Sequence, residues 1–171
     1  EQLSVTDVEH VTDALANAAD DVYENEQGLT FPGIYALLAR QYMHTHGATR
    51  EDLAAVSVKN HGNAVENPLA QFREAVPMEE VLASRPIATP LRLYDACPIS
   101  DGASVAIVVG ESFAADHGLD TSVTVLGTGQ SSDALALQDR AALDRLPAAE
   151  RAAERAYADA GVEPDDVDVA E

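Results

Sequence analysis

The sequence predicts an α/β fold with a helical cap, and three observations predict it. Val105-Ala106-Ile107-Val108-Val109 is β-branched at four of its five positions and bounded by Gly102 and Gly110, so it reads as a strand buried on both faces. Residues 104–171 alternate strand, helix, strand, helix, strand. Residues 30–92 carry helix-start and proline signals joined by irregular connections, which reads as a helical insertion.

The elements follow in order. In residues 1–28, Val8, Val11, Leu15 and Ala18 fall at helical spacing in an acidic stretch of mixed helix and loop, closed by Gly28. Thr30-Phe31-Pro32-Gly33 starts the clearest helix, with proline in the first turn, a stripe of Ile34, Leu37, Leu38 and Tyr42, and Gly47 at the end. Thr49-Arg50-Glu51-Asp52 has the form of a capping box with Asp in the usual Glu position. The helix it opens is expected to run to about Lys59, with Leu53, Val56 and Ser57 inward, and to break at Asn60-His61-Gly62-Asn63. Asn67-Pro68 predicts a short helix through Gln71 and Phe72, and Pro77 another over Met78 to Ala83. Two prolines hold Arg85 to Arg92 extended. Ser112 to His117 reads as a short helix stopped by Gly118, Val123 to Leu126 as a strand, Ser131 to Asp144 as ambiguous, Pro147 to Ala160 as a strong helix ended by Gly161, and Val167 to Ala170 as a last strand.

Charge is the strongest compositional signal. Thirty acids oppose ten bases, for a formal net charge of −20, and Lys59 is the single lysine. Such a field repels nucleic acid and anionic membrane. It fits either a basic partner or a salt-loving host, and the scarcity of lysine favours the second. One cysteine excludes an internal disulfide and a metal site built from clustered cysteines. With no leader and no apolar run long enough for a bilayer, the reading is a soluble, cytoplasmic protein. The chain opens without methionine and stops after a predicted strand, so both ends read as cut.

Cys97 is the obvious candidate nucleophile. A reactive thiolate needs a helix start or a cation beside it and a base in reach. A strand rather than a helix is expected here, and a buried or pocket-lining structural cysteine is the favoured reading. His44 and His46 are two apart on a helix and do not share a metal; no metal-ligating set is expected. His61 sits among Asn60, Gly62, Asn63 and Asn67, many hydrogen-bonding groups in one place, where a substrate-side role and a purely structural one are balanced. Gly127-Thr128-Gly129 lacks the rest of a phosphate loop. Arg85 and Arg92 flank an extended segment, as a pair for an anionic ligand or as ordinary ion-pairing groups.

Three stretches stand out together: Phe31 to Met43; Lys59-Asn60-His61-Gly62-Asn63 with Asn67-Pro68 and Ala70-Gln71-Phe72; and Cys97-Pro98-Ile99-Ser100-Asp101-Gly102-Ala103. Taken together they resemble thiolases, most of all the archaeal and sterol-carrier-protein-like branch. Val123 to Gln130, Ala160-Gly161 and Asp166 to Glu171 look like the start of that family's second half. The resemblance implies a fragment of an α/β thiolase-like fold: a mostly helical loop domain over 1–92, the end of the N-terminal half over 93–118, and a truncated start of the C-terminal half over 119–171. It implies acyl transfer between coenzyme A thioesters through a cysteine and an oxyanion hole.

The family's nucleophile would lie before residue 1, and its acid–base motifs would follow Glu171. No residue of this chain is therefore assigned a catalytic role, and Cys97 matches none of the family's catalytic cysteines. Phe31, Pro32, Cys97, Pro98 and Ile99, with His61, are carried over as coenzyme A-binding positions. Coenzyme A thioester is implied as substrate, with no cofactor. A homo-oligomer at full length, and a zinc-ribbon/OB-fold protein and a synthase as partners, are also implied. The alternative from another class is a non-catalytic thiolase-like acyl-CoA binder or scaffold.

Overall fold

The computed structural model describes Ser4 and residues 7–170. They fall into two units, residues 1–102 with 134–145 and residues 103–133 with 146–171.

Capping chemistry sets the helices of the first unit. Asp7 accepts from the His10 amide and opens α1, Val8–Ala16. Thr30 accepts from the Gly33 amide at 3.2 Å and opens α2, Phe31–His46, which Gly47 closes at φ +71°. That positive φ suits glycine, which has no Cβ to clash. The expected capping box is present. The Asp52 carboxylate accepts from the Thr49 amide at 2.8 Å while the Thr49 hydroxyl accepts from the Asp52 amide at 3.3 Å, opening α3, Arg50–Ala64.

After α3 comes α4, Met78–Ala83, which begins after Pro77 as predicted. A hairpin follows, of β1, Pro86–Ala88, and β2, Leu91–Arg92, antiparallel with Pro86 opposite Arg92. Ala54, Val76 and Val81 form the core between these elements, with Val58, Met78, Leu82 and Tyr94 packed on it. Burial of Val81 alone is worth about 2 kcal/mol on an area basis.

Residues 134–145 lie along this unit as a strap. Its Leu137 amide donates to Glu24 Oε1 at 2.6 Å, and Asp144 pairs with His46 Nε2 at 3.1 Å. Glu24 is 4 % exposed, and its other oxygen accepts from the Asp20 amide, so the buried carboxylate is satisfied on both sides.

The second unit is built on α5, Glu111–Asp116, and α6, Pro147–Ala160. The expected stops Gly118 and Gly161 both take positive φ. Residues 127–132 run against α6. A Cβ on Gly127 would stand 2.5 Å from the Ala156 carbonyl oxygen, and one on Gly129 would collide with that of Ala152. The two glycines therefore let backbone meet helix.

Several expectations are corrected. None of 105–109, 123–126 and 167–170 is a strand; the one ladder among the described residues is β1 with β2. Val105 and Ile107 are each 87 % exposed, not buried on both faces. A strand needs a ladder partner and a covered face, and the second unit offers this run neither, so β-propensity leaves only extended backbone. α3 does not stop at Lys59 but continues through Asn60, His61, Gly62 and Asn63. Asn67-Pro68 forms a turn rather than a helix, with the Asn67 side chain accepting from the Leu69 amide at 3.0 Å. On α2 and α3, Ile34 and Ser57 are buried as expected, but Leu37, Tyr42 and Val56 are exposed, and Ala36 and Ala54 share the buried places. The chain is thus helix-rich with a small sheet.

Candidate functional site

The last turn of α3 is where the site begins. Its residues are poor helix formers, yet His61 is held from two sides. Its Nδ1 lies 3.1 Å from the Glu74 carbonyl, which can only accept, so Nδ1 carries a proton there, and in the neutral tautomer Nε2 is the acceptor. Its ring also meets Tyr94 edge-on, with centroids 5.5 Å apart. Tyr94 is fixed in turn, its hydroxyl donating to Glu80 on α4 at 2.6 Å. That bond to a carboxylate raises the phenol above its ordinary pKa, with smaller contributions from burial and from the charges of Glu80 and Glu74.

These residues wall a cleft of about 550 Å³ in the first unit. Its lining comes from His61 with the extended stretch Gln71 to Glu74 and Val76, and from Ile87, Leu93, Tyr94, Ala96, Cys97 and Pro98. The turn Leu93–Asp95, a single 3₁₀ turn after β2, carries the chain into Cys97. Gln71 and Ser100 are bonded side chain to side chain across the same neighbourhood. The walls are mixed: apolar surfaces from Phe72, Val76, Ile87, Leu93 and Pro98, with an imidazole, a phenol, an amide and a thiol among them. Such a cleft suits a ligand with both apolar surface and hydrogen-bonding groups.

Of the predicted positions, His61, Cys97 and Pro98 line this cleft together, although 35 residues separate the first two. Ile99 follows directly and is exposed. Phe31 and Pro32 lie elsewhere, in the first turn of α2, where the Phe31 ring tilts against Tyr35 at 5.1 Å. Cys97 is a free, exposed thiol, and the residues before it form a 3₁₀ turn rather than the start of an α-helix.

Arg92 donates to the Ser84 carbonyl, which makes it a part of the hairpin's frame. His46 pairs with Asp144, and His44 stands on α2 without joining it. Gly127 and Gly129 belong to packing against α6, and the Thr128 amide donates to the Asp159 carboxylate, an arrangement with no room for a phosphate.

Sequence reasoning left out Tyr94, Glu74, Gln71 and Phe72 as wall residues. Tyr94 stood beside the cysteine stretch and Gln71-Phe72 beside the Asn-rich one, so adjacency to the quoted motifs was the available signal.

Known proteins are similar to this chain in sequence and in fold. Residues 3–112 match the family described as thiolase, N-terminal domain. An acetyl-CoA acetyltransferase of Methanothermobacter thermautotrophicus is 45 % identical over 98 % of this chain and 43 % of its own length. One of Methanocaldococcus jannaschii is 43 % identical over 98 % and 43 %. The solved structure of an Ltp2-ChsH2(DUF35) aldolase superposes with a TM-score of 0.76 at 28 % identity, covering 98 % of this chain and 44 % of that one. The chain therefore spans less than half the length of the relatives it matches.

Proposed function

The chain belongs to the thiolase family, and from that premise we propose that it is part of an acyl-CoA C-acyltransferase in which it supplies a wall of the coenzyme A site. One observation carries this: His61, Cys97 and Pro98, expected on that wall, share one apolar-sided cleft with Phe72 and Tyr94. The pantetheine arm of coenzyme A is a flexible chain of methylenes and two amides ending in a thiol. Phe72, Val76, Ile87 and Leu93 offer it apolar contact, and the Nε2 lone pair of His61 can accept from one amide N–H.

In this reading the acyl group is carried by a cysteine supplied by the part of the protein that this chain does not span. Cys97 is a wall residue, placed after a 3₁₀ turn and so without an α-helix dipole to hold its thiolate. Phe31, Pro32 and Ile99 line a further stretch of the same passage once the whole protein surrounds it. The names of the two archaeal relatives support a coenzyme A thioester as substrate. The DUF35 component of the similar aldolase supports association with a second protein.

The test uses the full protein and calorimetric titration with coenzyme A. Phe72→Ala and His61→Ala are expected to weaken binding about tenfold each, the size of one lost packing or hydrogen-bonding contact. Cys97→Ser is expected to keep most of the acyl-transfer activity. Loss of acyl-enzyme formation in Cys97→Ser would overturn the wall assignment. Binding without any acyl transfer by the full protein would point instead to an acyl-CoA-binding scaffold.

A further inference from the structure

Behind the cleft, and not lining it, Asp95 joins three pieces of chain. Its side chain is 6 % exposed. One oxygen, Oδ2, accepts from the Arg92 amide at 2.7 Å, closing the turn on itself, and lies 2.6 Å from Arg50 Nη2 in the first turn of α3. The other, Oδ1, lies 3.3 Å from the hydroxyl of Ser57 in mid-α3, which donates to the Tyr94 carbonyl at 2.9 Å. Two residues further along is Cys97. The turn bearing Tyr94, Ala96, Cys97 and Pro98 is thus tied to α3 at two levels, and α3 carries His61.

Stability alone does not account for this pair. Arg50 Nε and Nη1 are buried without a hydrogen-bond partner, and Nη2 meets the carboxylate as an ion pair without an aligned hydrogen bond. A half-satisfied buried pair is often no better for stability than apolar groups of similar size, whereas it does select one geometry.

We propose that Arg50 and Asp95 are positioning residues that fix the 93–98 turn against α3 and so set the spacing between His61 and the Tyr94–Pro98 wall. The proposal rests on the coenzyme A reading for its ligand. The position itself stands on the contacts above.

The decisive variant is Arg50→Met with Asp95→Asn, made together in the full protein. It removes both charges and keeps an oxygen for the Arg92 amide. The melting temperature is expected to stay within a few degrees. Amide hydrogen exchange at Leu93 and Ala96, whose amides donate to the Arg85 and Leu93 carbonyls, is expected to rise at least about tenfold with that in α2 unchanged, and coenzyme A binding to weaken about tenfold. Ser57→Ala, a milder cut of the same tie, is expected to move exchange and affinity in the same direction, and serves alone if the double variant does not fold. Unchanged exchange at Leu93 and Ala96, or a rise shared evenly by α2, would overturn the proposal. If exchange responds as expected but the unmodified protein binds no coenzyme A, the positioning pair stands and the coenzyme A reading falls.

Discussion

Val81 and Val105 are the same residue put to opposite use. In the first unit Val81 is fully enclosed between α3, α4 and the stretch around Val76. In the second, Val105 opens an apolar run that stands in solvent, while contact is made by glycines laid on α6 and by arginines reaching out from it. Arg151 donates to Ser131 and to the Ser132 carbonyl, and Arg155 to the Gln130 carbonyl. One unit is held by side chains packing on side chains, the other by backbone brought close to helix and fastened with guanidinium groups. Hydropathy reports where a residue prefers to be; geometry decides whether a partner is there.

The largest test of this contrast is Gly127→Ala. Its methyl would meet the Ala156 carbonyl oxygen at 2.5 Å, so segment and helix must part, at about 3 kcal/mol. A chemical-denaturation midpoint for the second unit shows it, and a change under about 0.5 kcal/mol would refute backbone contact as its fastening. Val81→Ala comes next, at about 2 kcal/mol for two buried methyl groups and the space they leave, read on the first unit. Ile107→Thr is expected to change the stability of this chain by less than about 0.5 kcal/mol, because the side chain is exposed; a loss above about 1 kcal/mol would mean the run is packed after all.

The smallest effect is a local one of pH. The Thr49 amide, and then its hydroxyl, hold the Asp52 carboxyl below its ordinary pKa of 3.8. A lowered folded-state pKa means that the cap's contribution is present above the ordinary value and is lost as pH falls through the lowered one. The Thr49 amide resonance should accordingly titrate below pH 3.8, and a midpoint above it would remove the capping box from the account of α3.

The legible part of the fold was the local part. Thr30, Thr49, Pro77, Gly47, Gly118 and Gly161 mark boundaries through bonds or dihedrals within a few residues, and each lies at the helix end expected of it. What escaped was set by distant partners. The last turn of α3 runs through Asn60, Gly62 and Asn63 against their propensity because Glu74 and Tyr94 grip His61. The Val105 run has strand composition and no ladder. In the site, the motif stretches pointed to His61, Cys97 and Pro98. That Tyr94 faces His61, and that Arg50, Ser57 and Asp95 brace it from behind, depends on how a hairpin returns to a helix, which neighbouring residues in sequence do not encode.

The arginines have one more consequence. Arg73, Arg92, Arg140, Arg151 and Arg155 each donate to a main-chain carbonyl. A cation bound to a neutral dipole at contact distance loses little to added electrolyte, while repulsion among the thirty carboxylates fades as the screening length shortens from about 10 Å at 0.1 M to about 3 Å at 1 M. These five contacts are therefore expected to lose less to added salt than an exposed ion pair would.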